Sequence, residues 1–208
     1  AWLLLGWVRG GIRCEYAAWT AAAEQALIHY RLAGSPASTC LGQVAASLYW
    51  GPTPVPSAIQ RCSDLLAQDA SDLAGRANLL AYLGGLEGQS GNFDEAWELL
   101  AEARGIYEEL GQREAASIHC DGIAADVELA AGEYLRATQT LTTACEVFER
   151  RRLASELAVR AADLAEAVYC LGALTKAETW ANTSQTTAAS DYLGAQVSWR
   201  CVRAKVLA

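Results

Sequence analysis

A chain of 208 residues with 52% apolar and 19% charged side chains has the material for a packed core and lacks the composition of a disordered segment. A net charge of −8 and a pI near 4.8 leave no clustered positive field to neutralise phosphates, which argues against a nucleic-acid surface. Forty-two alanines, with four prolines all at or before Pro56, exclude an all-β sandwich and point to helices.

The first predicted helix, 1–9, is the apolar run AWLLLGWV closed by Arg9. It is shorter than the roughly 20 residues of a membrane span, and it has neither the basic lead nor the cleavage pattern of a targeting peptide. Helices are expected next over 14–33, 38–50, 56–68, 72–90, 92–110, 113–131, 133–150, 154–171, 174–187 and 191–208, eleven in all. The breaks fall at Gly10-Gly11, at Gly34-Ser35-Pro36, at the rigid run from Gly51 to Pro56, at Gly111-Gln112, at Arg150 to Arg152 and at Ser190-Asp191. The basic run belongs at a helix C-terminus, where cations complement the macrodipole. Asn92 is expected to cap the helix that follows it, with Glu95 completing a capping-box-like pattern.

The elements repeat. Taking Gly91 as a turn marker, equivalent positions fall at Cys14, Thr53, Gly132 and Gly172, at intervals of 39, 38, 41 and 40 residues. Two residues after each marker stands a bulky group (Tyr16, Val55, Phe93, Tyr134, Leu174), suited to wedge between paired helices. Five after it come Trp19, Ala58, Ala96, Ala137 and Ala177, and twelve after it Ala26, Leu65, Ala103, Ala144 and Ser184. Seven before it come Trp7, Ala46, Gly84, Ala125 and Ala165, again mostly small enough for close helix approach. Such registers describe helix pairs that bury their apolar faces by stacking, with repeats near 1–34, 38–69, 72–111, 113–152, 154–188 and a partial 191–208.

At Leu83-Gly84, Gly91-x-Phe93, Ala96 and Ala103, and again at Gly132-x-Tyr134, Ala137 and Ala144, the chain resembles the tetratricopeptide repeat family. The resemblance implies a right-handed α-α superhelix of about five helix pairs. More narrowly, SLYWGPTPVPSAIQRCSDLLAQ, LAYLGGLEGQSGNFDEAWELLAEARGIYEELG and WRCVRAKVLA look like the C-terminal helical-repeat region of bacterial regulators that carry a class III adenylate/guanylate cyclase domain followed by an AAA-type ATPase module. The catalytic residues of that family lie in those other domains, and none transfers to this sequence.

No chemistry-bearing motif stands out. There is no phosphate loop and no dinucleotide fingerprint; Gly84-Gly85 and Gly88 lie in a helical pattern and read as close packing. His29 and His119 belong to no metal motif, and His119 and Asp121 do not share a helical face. Seven scattered cysteines without a C-x-x-C pair argue against zinc and against a disulfide framework, and are expected to be small buried hydrophobes in a reducing cytosol. Glu98, Glu102, Glu108 and Glu109 read as a solvated helix face, and Trp7, Trp19 and Trp97 as packing residues. No catalytic, cofactor or metal residue is assigned.

In the resembling family the first helices line the concave surface that holds a peptide or partner helix. Carrying those positions over gives Gln43, Trp50, Asn78, Tyr82, His119, Asp126, Glu166 and Tyr169 as candidate groove residues. The expected role is a cytoplasmic protein-interaction or sensory segment of a bacterial signalling or transcriptional regulator, taking a peptide, a partner protein, an effector or an adjacent domain, with no nucleic acid and no membrane. A passive self-assembling scaffold, a homo-oligomer, is the alternative; an all-α enzyme has only the Cys and carboxylate content behind it. The apolar ends and the lack of Met lead to the expectation of flanking segments in a larger protein.

Overall fold

A computed structural model describes residues 1–68 and 72–208, and among the described residues the chain is all-α with no strand. In chain order the helices are α1 (Trp2–Trp7, running on as a π turn over Val8–Ile12), α2 (Tyr16–Leu32), α3 (Ser38–Trp50), α4 (Val55–Gln68), α5 (Leu73–Gln89) and α6 (Phe93–Glu109). Then come α7 (Arg113–Ala115, a π turn over Ala116–Asp121, then Gly122–Ala130), α8 (Tyr134–Arg151), α9 (Ala154–Cys170), α10 (Leu174–Thr187) and α11 (Leu193–Leu207). Apart from α1, the bounds agree with the expected ones to within two residues. The expected repeat boundary at 69 lies outside the described residues. Contacts gather the chain into two compact units, Ala1–Val127 and Glu128–Ala208, and the division falls inside α7.

Most helix ends close in one way. After α5 the Asn92 N–H donates to the Glu87 carbonyl at 2.9 Å and the Gly91 N–H to the Gly88 carbonyl at 3.1 Å, with Gly91 left-handed at φ +83°. The same pair of bonds, a Schellman turn, recurs around Gly34, Gly111, Gly132, Arg152 and Gly172. Cys14 is left-handed as well, so four of the five turn markers share this conformation. Thr53 does not: there the chain leaves α3 through an extended Gly51 (φ −89°, ψ 178°), where a Cβ would sit 2.3 Å from the Ser47 carbonyl oxygen.

The expected Asn92 cap is not made. Asn92 occupies the N-cap position of α6, but its Nδ2 donates to Glu87 Oε2 at 2.7 Å, a carboxylate that the turn brings within reach. Asp72 does cap α5, its Oδ1 accepting from the Gly75 N–H at 2.8 Å.

The small-residue columns form the helix contacts. Ala58, Ala96, Ala137 and Ala177 are fully buried, as are Ala125 and Ala165 on first helices, with Ala46 close behind. At Gly85 an added Cβ would lie 2.6 Å from the Tyr49 ring and 2.8 Å from Ile123, and at Gly88 it would lie 2.7 Å from Val127. In the first unit α3 packs on α1, α2 and α5, and α5 packs on α6; in the second, α9 packs on α8, α10 and α11.

Two columns have exceptions. Trp7 is 51% exposed, because the Trp19 ring fills the gap against Gly6 and Gly10 and leaves Trp7 lying outward over Gly11. Leu174, expected to wedge between helices, is half exposed on the first turn of α10. Of the seven thiols, Cys40, Cys62, Cys120 and Cys145 are buried as expected, Cys14 is half-buried, and Cys170 and Cys201 are exposed on α9 and α11.

Candidate functional site

Asn78 and Tyr82, one turn apart on α5, share a face. The Asn78 Nδ2 donates to the Ser38 carbonyl at 3.2 Å, and its Oδ1 accepts from the Tyr107 hydroxyl at 2.7 Å, which ties α5 to α3 and α6. The Tyr82 hydroxyl lies 3.3 Å from His119 Nδ1. The His119 ring stands edge-on to Tyr82 at 5.8 Å and stacks on Tyr107 at 6.1 Å with an interplanar angle of 19°. The Tyr49 hydroxyl donates to Asp126 Oδ2 at 3.0 Å, and its ring contacts those of Tyr82 at 5.8 Å and Trp50 at 4.6 Å. Four candidate residues, Asn78, Tyr82, His119 and Asp126, therefore belong to one network that crosses α3, α5, α6 and α7 within the first unit.

Burial sets the electrostatics of this network. His119 is held below its usual 6.5 by desolvation, which favours the neutral imidazole. Desolvation also raises the Tyr107 phenol, so both groups act as neutral hydrogen-bonding partners. Asp121 turns the other way and pairs with Arg104.

Two members of the network, Tyr49 and Tyr107, were not among the candidate residues. Tyr107 lies sixteen residues after its turn marker, a position that holds Tyr30 and Phe148 in other repeats; that aromatic column was the available signal. Tyr49 adjoins the chosen Trp50 and had no column of its own.

The remaining candidates are placed elsewhere. Gln43 Oε1 accepts from the Trp19 indole at 3.1 Å and fastens α3 to α2. Trp50 is 41% exposed and lines a cleft of about 680 Å³ with Tyr16, Gly51 and Pro52. Glu166 and Tyr169 belong to the second unit. There Lys205 on α11 donates to Glu166 Oε1 at 2.6 Å and stands 6.0 Å from the Tyr169 ring centre. The hydrogen bond from Lys205 to Glu166 raises the Lys205 pKa.

Among the described residues no group of three or more His, Cys, Asp or Glu side chains could hold a metal ion, and no helix is long and apolar enough to cross a membrane. Burial drives the thiols of Cys62 and Cys145 up to about 12 and that of Cys120 to about 11, far from nucleophilic readiness. No protein-family model matches this chain, and no curated protein sequence matches it.

Proposed function

We propose that this chain is a protein-interaction module of tetratricopeptide kind, which engages a peptide or partner helix through the face of its first helices, as the docking or sensory segment of a bacterial signalling regulator. The observation that carries the reading is the network of Tyr49, Asn78, Tyr82, Tyr107, His119 and Asp126, which locks successive first helices in register. Beside it the Trp50 ring stays half exposed. A rigid face with an aromatic anchor lowers the ordering cost of binding and suits a ligand held by stacking and hydrogen bonds. The repeat period and the left-handed turns support the tetratricopeptide likeness.

A photo-crosslinking amino acid placed at Trp50, and separately at the exposed Glu98 on α6, tests the reading in cells of the source organism. A discrete adduct from position 50 and none from position 98 is the expected result. Equal labelling from both positions, or none from either, defeats it.

A further inference from the structure

Three departures from the repeat meet between α6 and α7. Thirteen residues after the turn marker, where α2, α4 and α8 hold Leu27, Leu66 and Cys145 and α10 holds Gln185, α6 carries Arg104. Eleven residues before the marker, where α5 and α9 bury Leu80 and Ala161, α7 carries Asp121. The third departure is the π turn over Ala116–Asp121, a geometry found frequently at functional sites. Helix stacking asks for none of the three, and a local break in an otherwise consistent pattern is where function is to be sought.

Arg104 and Asp121 pair across the two helices, each side chain half-buried. With Glu108, Arg113, Ala116 and Ser117 they line a cleft of about 530 Å³, wholly inside the first unit. Arg104 and Glu108 stand one turn apart on α6, while Arg113, Ser117 and Asp121 follow one another at intervals of four along α7. The π turn thus sends His119 into the aromatic network and Ser117 and Asp121 into the cleft. Among the described residues, the side chains of Arg113 and Ser117 make no hydrogen bond or ion pair. Glu108 makes none either, although its charge reaches Arg104.

Two guanidiniums and two carboxylates give this lining no net charge. A plain anion drawn to Arg113 would face Glu108, and a plain cation drawn to Glu108 would face Arg113; like charges brought together in this way are selected against. A molecule that carries both charges satisfies both walls. We propose that the cleft between α6 and α7 binds a small zwitterion of the free α-amino acid class. Its carboxylate accepts from Arg113 and the Ser117 hydroxyl, and its ammonium donates to Glu108, with the Arg104–Asp121 pair as the floor. The volume is that of a small-molecule site. This site is separate from the Trp50 face and does not rest on the role proposed for it.

Titration of the ¹⁵N-labelled chain with L-alanine and with the larger L-glutamine, followed by amide NMR shifts, tests the proposal. Acetate and ethylammonium at matched ionic strength serve as single-charge controls. At least one of the two amino acids is expected to move the amides of Glu108 and of residues 113–121 saturably, and each control is expected to bind at least about ten-fold more weakly. Arg113→Gln and Glu108→Gln are each expected to weaken binding about five-fold or more, while Glu98→Gln, elsewhere on α6, leaves it unchanged. All three positions are exposed, so the unperturbed part of the spectrum is expected to stay as it is. No saturable shift with either amino acid, acetate binding as tightly as they do, or full binding by Arg113→Gln and Glu108→Gln overturns it.

Discussion

Gly85 and Gly105 are both glycines in helix interiors, yet they predict opposite responses to the same added methyl. Replacing either with Ala gains about 1 kcal/mol of helix propensity. Around Gly105 nothing lies within 4 Å of the new Cβ, so Gly105→Ala is expected to keep that gain. At Gly85 the methyl would stand 2.6 Å from the Tyr49 ring and 2.8 Å from Ile123. The Tyr49 ring is held in place, because its hydroxyl donates to Asp126 and the ring contacts those of Trp50 and Tyr82. Forcing a methyl into such a contact costs about 1–3 kcal/mol. Gly85→Ala is therefore expected to lie between neutral and about 2 kcal/mol destabilised, and about 1–3 kcal/mol below Gly105→Ala. Urea unfolding followed by circular dichroism, with hydrogen exchange of the α5 amides as a local probe, measures the gap. If Gly85→Ala proves as stable as Gly105→Ala, the close packing of α3, α5 and α7 is refuted as the reason for glycine at that position.

The Asn78 bridge predicts that Tyr107→Phe costs about 1 kcal/mol and Asn78→Ala about 2, with a double mutant less damaged than their sum, as a double-mutant cycle in urea would register. Because burial depresses the folded-state pKa of His119, the unfolded chain takes up the proton first; stability is expected to fall as pH drops through 6.5 and to level off below the folded value. Unfolding midpoints at neutral and mildly acidic pH should differ more for the unaltered chain than for His119→Gln, and equal differences would contradict the assignment. A thiol reagent should label Cys170 and Cys201 quickly and Cys14 more slowly, while Cys40, Cys62, Cys120 and Cys145 react only on unfolding. Fast modification of Cys62 would contradict its burial.

Most helices and their turns were legible in the sequence because the break is written in residues that tolerate or impose a special backbone, glycine above all; Cys14 and Arg152 take the left-handed position without that signal. Packing columns were legible where the residues are small: an alanine fits the close approach of two helices in one way. Aromatic positions were harder to read. Trp7 and Trp19 occupy two columns that cannot both hold an indole, and only packing decides that Trp19 enters. Asn92 has several partners within reach, and the choice of Glu87 over the helix N-terminus depends on a turn geometry that composition does not encode. The network that joins Tyr49 to Asp126 and Tyr82 to His119 spans separations of 77 and 37 residues, which a local pattern cannot report.

The π turn over Ala116–Asp121 bears on how repeats of unequal length stay interchangeable. The marker stands 18 positions after the start of the first helix from Leu73 to Gly91 and from Ala154 to Gly172, but 19 positions after it from Arg113 to Gly132. A π turn takes up one residue more than an α turn, so the surplus is absorbed inside α7, while Cys120, Ile123 and Val127 keep the positions of Leu79, Tyr82 and Leu86. Length variation of this kind leaves the loops and the neighbours undisturbed. A helix that can swallow a residue behaves as a slack element in an otherwise strict lattice, and deleting one residue from Ala116–Asp121 would restore the α turn without changing which side chains meet across the repeat.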